Sequence, residues 1–189
     1  MRKGIILALS LMLTFSLFSQ TKKVVMIVAP SDFRDEELFV TKEVLESKGI
    51  EVKVASLEIT SIRGMLGKEV VPDLKLAEVN VDDFDGIVFV GGVGAKFYWK
   101  CPFALGIAQE AFKKKKVVAA ICIAPVILAN AQILKGKKAT VWRSEAGRIK
   151  EKGAIYVEAS LVRDGNIITA SGPQAAEEFG EKIAEALLE

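Results

Sequence analysis

Three apolar runs of strand length limit what this chain can become. Lys23-Val-Val-Met-Ile-Val-Ala29, Asp85-Gly-Ile-Val-Phe-Val-Gly91 and Val117-Val-Ala-Ala-Ile121 are small or β-branched almost throughout. They lack the polar alternation of a sheet that faces water on one side, so both of their faces are expected to be covered. The segments between them read as helices. Residues 34–48 are amphipathic and stop at Gly49, while 102–116 open on a proline and end in lysines. Residues 51–57 alternate as a further strand, and 62–71, broken by Gly64 and Gly67, read as a hairpin excursion. A helix is expected from about Ala124. Later strands are expected over 138–142 and over 155–170, the second folded at Asp164-Gly165, and a closing helix over 173–189. Strands alternating with helices predict an α/β fold: a flavodoxin-like three-layer sandwich with a mostly parallel central sheet. The 189 residues provide one such domain, over 21–189.

Residues 1–20, MRKGIILALSLMLTFSLFSQ, stand apart from this pattern. Arg2 and Lys3 precede an uncharged run from Gly4 to Phe18. As a helix it reaches about 22 Å, short of a hydrocarbon core of about 30 Å. The segment reads as a signal peptide, cleaved on export to a periplasmic or extracellular location; an uncleaved membrane anchor is the alternative. Its removal takes two of the 26 basic residues and none of the 24 acidic ones. The mature chain is then formally neutral, which argues against nucleic acid and against stable membrane association as partners. The lysine run Lys113 to Lys116 is explained as a solvated helix end.

Composition narrows the chemistry further. The chain contains no histidine and two cysteines, Cys101 and Cys122. Ser-His and Cys-His pairs, imidazole metal sites and four-thiolate zinc sites are all excluded, and neither metal nor cofactor is expected. Carboxylates, lysines, hydroxyls and two thiols remain.

In open parallel sheets ligands gather beyond the carboxyl ends of the strands. Three such ends stand out: residues 29–37, Gly91-Gly-Val-Gly-Ala95, and Ile121-Cys-Ile-Ala-Pro125. In the last, one cysteine sits between a strand and a helix containing Pro125, the layout of a nucleophile elbow. A helix start lowers the pKa of a thiol from about 8.5, although a buried, inert cysteine has the same local sequence. The glycines from Gly91 lack the G-x-G-x-x-G spacing of a dinucleotide loop; they suit close backbone approach, as an oxyanion hole requires. A Cys101–Cys122 disulfide would consume the candidate nucleophile. A free Cys122 is expected, because one thiol starts a helix while the other ends a strand.

Ala119-Ala-Ile-Cys-Ile-Ala-Pro125, with Val88-Phe-Val-Gly-Gly-Val-Gly-Ala95 upstream and Ser171-Gly-Pro173 before the last helix, resembles the ThiJ/PfpI superfamily. The resemblance implies a class I glutamine-amidotransferase-like fold over residues 22–189 and self-association as a homodimer or higher homo-oligomer. It maps the reactive cysteine onto Cys122 and its acidic partner, counted back from Gly49, onto Glu37, with Glu36 and Asp35 as neighbouring registers. It also implies a protonated acid beside a thiolate, hence a raised carboxyl pKa and a lowered thiol pKa. Gly91, Gly92 and Ile123 would line the oxyanion and binding pocket.

The chain departs from the family pattern at informative places. Ile123 stands where peptidase-type relatives carry histidine after the cysteine, Trp142 where others carry one after the following strand, and Val90 where proline precedes the glycine pair. Trp142 is a candidate pocket floor, with Phe97, Tyr98 and Trp99 as walls. The resemblance implies action on small reactive carbonyls, glyoxalase- or deglycase-like. The alternative is a non-enzymatic thiol redox sensor or stress-protective binder whose partner is an oxidant. A cysteine peptidase comes third, because general acid–base help from histidine is absent.

Overall fold

The computed structural model describes residues 21–189, so the signal-peptide reading of residues 1–20 lies outside them. In chain order the elements are β1 Lys23–Ile27, α1 Asp35–Ser47, β2 Glu51–Ser56, β3 Ile62–Arg63, β4 Glu69–Val70, β5 Leu74–Lys75, β6 Gly86–Phe89, α2 Pro102–Lys113, β7 Val117–Ile121, α3 Pro125–Asn130, β8 Lys138–Ala139, α4 Ala146–Glu151, β9 Ile155–Tyr156, β10 Leu161–Asp164, β11 Ile167–Ala170 and α5 Ala176–Leu188. The main sheet has seven strands in the order β10-β11-β7-β6-β1-β2-β5. Every neighbouring pair is parallel except β10–β11. This is the α/β sandwich with a mostly parallel sheet that the three apolar runs predict.

The reason lies in those runs. In β1, β6 and β7 all residues but Lys23 are buried, so side chains leave the sheet into a packed layer on either side. From β1 the chain crosses to β2 on one flank, and from β6 it crosses to β7 on the other. Right-handed crossovers then put α1 and α2 on opposite faces. α5 returns to the face of α1: Thr41 Oγ1 donates to Ala176 O at 3.1 Å, and a Cβ on Gly180 would meet Val44 Cβ at 2.9 Å. Strand order reverses between β1 and β6, the position where such sheets hold a ligand beyond their carboxyl ends.

The later chain differs from expectation in detail. The strand expected over 138–142 is only β8, paired with β9 in a separate small sheet. Thr140 and Trp142 spend their N–H groups on Thr169 Oγ1 and Cys122 O instead of on a ladder. The run 155–170 accordingly divides into β9 and the β10–β11 hairpin, which turns at Gly165-Asn166. The edge strand β5 and the short α4 had no periodic signal long enough to register.

Candidate active site

Cys122 follows β7 directly, and α3 begins three residues later at Pro125. A turn this short is made by placing Cys122 at φ +62°, the left-handed region that non-glycine residues rarely adopt. Neighbouring elements hold it there. Its N–H donates to Ala170 O at 2.9 Å, and its carbonyl accepts from Trp142 N at 2.7 Å. A backbone kept in this region at a cost of about 1–3 kcal/mol marks an elbow built to aim a side chain. The residue is 8% exposed. Both cysteines are free thiols.

The three acids that open α1 face three different ways. Asp35 is buried and accepts from the N–H groups of Leu66 and Lys68, each at 2.8 Å, which fastens the β3–β4 hairpin. Glu36 receives Arg34 Nε at 2.8 Å and Nη2 at 3.0 Å. Glu37 is wholly buried and accepts from Gly91 N at 2.9 Å. Its other oxygen, Oε1, is buried with no hydrogen-bond partner among the described residues. Of the neighbouring registers, then, Glu37 is the acid beside the elbow.

Gly91 is the hinge of the arrangement. A Cβ there would meet Glu37 Oε2 at 2.5 Å, Cys122 Cβ at 2.6 Å and Ile121 O at 2.8 Å. The carboxyl and the thiol therefore flank one glycine, whose missing side chain is the space they occupy. Gly92 has φ +90° and packs on the backbone of Asp32 and Phe33, with the adjacent Gly91 O accepting from Arg34 N at 3.1 Å. The N–H groups of Gly92 and Ile123 both favour the charged form of the sulfur.

Burial pushes the Glu37 carboxyl up to about 8, against the downward pull of the Cys122 thiol, the Gly91 N–H and the Arg34 charge. At neutral pH Glu37 therefore carries a proton, which also gives its unpartnered oxygen a hydrogen to donate. The expected lowering of the thiol is not what the surroundings produce. Burial first, and then the charge of an ionised Glu37, push Cys122 up to about 12, with Gly92 and Ile123 pulling the other way. The end of the six-residue α3 does not outweigh that loss of solvent. The two groups titrate as one system, and protonating Glu37 removes the charge that most opposes a thiolate.

Above the pair opens a cleft of about 290 Å³ whose lining includes Cys122, Gly92, Ile123 and Trp142. Of the expected aromatic walls, none of Phe97, Tyr98 and Trp99 lines it. Tyr98 is a core residue whose hydroxyl donates to Val28 O at 3.1 Å. Phe97 faces solvent. Trp99 braces the elbow from behind, its indole N–H donating to Ile123 O at 3.3 Å. Arg34, Met65, Lys96 and Glu145 also line the cleft and were not singled out by sequence. Met65 arrives on the hairpin, and Lys96 on the 3₁₀ turn Val93–Tyr98 that follows the glycines. Only the proximity of that turn to a glycine-rich strand end hinted at Lys96. Among the described residues no group of three or more carboxylates and thiols is placed to hold a metal ion.

A doubly wound α/β sandwich with a cysteine elbow and a buried carboxylic acid at its switch point defines the class. The chain belongs to the DJ-1/PfpI family, whose model matches residues 22–186. It is similar to an uncharacterized protein of Methanocaldococcus jannaschii, 45% identical over 168 residues that cover 87% of this chain and 82% of the relative. It is similar to a deglycase of Thermococcus kodakarensis, 35% identical over 149 residues covering 79% and 90%. A glutathione-independent glyoxalase of Caenorhabditis elegans is 29% identical over 166 residues, covering 88% and 89%. Among solved structures, a ThiJ/PfpI domain protein from Brachyspira murdochii matches with a TM-score of 0.87 at 32% identity, covering 89% of this chain and 98% of that one.

Proposed function

We propose that this protein acts on small reactive carbonyls, in the manner of a glyoxalase or deglycase, through Cys122 and Glu37. The observation that carries the reading is the pair itself: a protonated, buried carboxyl and an elbow thiol on either side of Gly91, beneath an open cleft. The sulfur adds to the carbonyl carbon, the π electrons move to oxygen, and the thiol proton leaves. Glu37 gives its proton to that oxygen while its other oxygen takes the proton from sulfur. The result is a hemithioacetal with Glu37 restored to its acid form, so the relay needs no histidine. Backbone N–H groups at Gly92 and Ile123 steady the developing charge. Hydration of a 2-oxoaldehyde to a 2-hydroxy acid balances internally, since the aldehyde carbon is oxidised and its neighbour reduced. The similarity to a deglycase and a glyoxalase supports this substrate class.

Consumption of methylglyoxal is expected to vanish in Cys122→Ser and to fall by about 10²–10⁴-fold in Glu37→Gln. A Cys122→Ser protein as fast as the parent refutes the reading. The pH profile of Cys122 alkylation by iodoacetamide tests the coupling: it shifts in Glu37→Gln when the two groups form one system, and stays fixed when they do not.

A second reading rests on the orphaned Glu37 Oε1: a carboxylic acid there can hydrogen-bond an oxidised sulfur. A discrete oxygen adduct on Cys122 after mild peroxide, read by intact mass, would support a sensing role. Residues 1–20 complete the proposal as an export signal, checked by the N-terminal mass of the chain from its native cell.

A further inference from the structure

Four charged side chains at or beside the cleft cancel in pairs. Arg34 is spent on Glu36 through two hydrogen bonds. Glu145 is neutralised by Arg148 Nε at 2.7 Å. Lys96 also lines the cleft, and it forms no ion pair among the described residues. Its Nζ lies 5.8 Å from the centroid of the Trp99 ring, and Arg148 lies 5.0 Å from the same ring. That ring is anchored to the elbow, because its N–H donates to Ile123 O at 3.3 Å. The lining and its immediate partners therefore carry one uncompensated positive charge, held on a platform tied to the residue after Cys122. Around that charge the remaining lining is uncharged: Ser144 and Gln174 offer hydrogen bonds, while Val93, Met65 and Trp142 are apolar.

We propose that Lys96 makes the cleft select 2-oxoaldehydes bearing an anionic group, a carboxylate in particular, beyond the 2-oxo carbon, and reject cationic adducts such as those formed on lysine or arginine side chains. The inference rests on the carbonyl reading of Cys122 and narrows its substrate class. Lys96 and Cys122 line the same cleft, so in this scheme Lys96 receives the substrate's carboxylate while the carbonyl carbon meets the sulfur. A guanidinium or ammonium group in the same place meets like charge. Lys96 is a binding residue in this scheme and takes no part in bond making.

Iodoacetate and iodoacetamide alkylate the same sulfur and differ by one negative charge, so the ratio of their rates at Cys122 reads the local potential without turnover. That ratio is expected to drop about three- to fivefold in Lys96→Gln at low salt, to persist in Lys96→Arg, and to shrink in the parent as salt is added. A second measurement covers a sulfur that reacts with neither reagent. In Cys122→Ser, quenching of Trp142, which lines the cleft, by glyoxylate is expected to saturate at lower concentration than quenching by neutral glycolaldehyde, with the difference lost on Lys96→Gln. Equal behaviour of charged and neutral probes in both measurements overturns the proposal. Inert Cys122 with charge-selective quenching would instead leave Lys96 as an anion-binding residue and remove the carbonyl chemistry.

Discussion

At Gly91 a single missing methyl group decides whether Glu37 and Cys122 can coexist. A Cβ there falls within 2.5 Å of Glu37 Oε2 and 2.6 Å of Cys122 Cβ, neither of which is the free end of a flexible exposed chain. Gly91→Ala must displace the elbow or push Glu37 out of its buried seat. Overpacking of this kind costs about 1–3 kcal/mol, so the variant is expected to fold with a lowered Tm. Its Cys122 alkylation profile should lose its dependence on Glu37, and methylglyoxal consumption should fall at least tenfold. A Gly91→Ala protein with the parental profile would mean the pair is not held by this glycine. Sequence placed Glu37 only by counting from Gly49, with two other acids in reach. Direction separates them, because of three successive side chains at the start of α1 only Glu37 reaches Gly91 at the strand end after β6 while Asp35 turns to the hairpin and Glu36 to Arg34, and a single sequence carries no measure of that rotation. The same limit applies to the thiol. A cysteine before a helix suggests a lowered pKa, but loss of solvent raises it, and solvent access is a property of the assembled layers.

Among the elements, the strands were legible where burial was total and illegible where they were short. β1, β6 and β7 announced themselves because both faces are packed. β5, β8 and β9 have two residues each, too few to show a period, and tertiary donors and acceptors rather than local preference set them. The excursion over 62–71 was read as a hairpin from its glycines, and it is one. The device that binds it was hidden in the acids of α1. Asp35 accepts two N–H bonds from the hairpin turn, Gly64 packs directly on its carboxyl group, and Met65 N donates to Phe33 O at 2.8 Å. Removing a buried acceptor leaves two N–H groups without partners, a loss of about 1–3 kcal/mol. Asp35→Ala is therefore expected to loosen residues 64–68 selectively, seen as faster amide exchange at Leu66 and Lys68 and easier proteolytic nicking there. Because Met65 lines the cleft, the KM for a carbonyl substrate should rise more than kcat falls. Unchanged exchange at both amides would show that the other backbone bonds hold the hairpin alone.

For the molecule as a whole, the site sets how stability depends on pH. Glu37 ionises near 4.5 in the unfolded chain and near 8 in the folded one. Between those values the folded state binds the extra proton, so the stabilisation present below about pH 4.5 is lost as pH rises through 8. Cys122, raised from 9.0 to about 12, extends the same decline into alkali. Surface carboxylates act in the opposite sense at the acid end. The N–H of Lys138, followed by the Lys137 side chain, holds Asp164 below the usual range, and Arg163 does the same for Glu189, so these contributions are lost as pH falls. The folded chain should thus be most stable in mildly acidic solution and weaken steadily toward pH 8, by an amount of order a few kcal/mol for a fully buried acid. Glu37→Gln replaces the acid with a neutral group of the same shape. In denaturant titrations from pH 5 to 8 it should flatten the slope and overtake the parent at the alkaline end, even though it loses activity. If parent and variant instead share one slope, Glu37 is ionised in the folded state at neutral pH, and it holds no proton to give to a carbonyl oxygen. A slope present in the parent and absent in Glu37→Gln would mean that the proton needed for the chemistry is stored at a measurable cost to the fold.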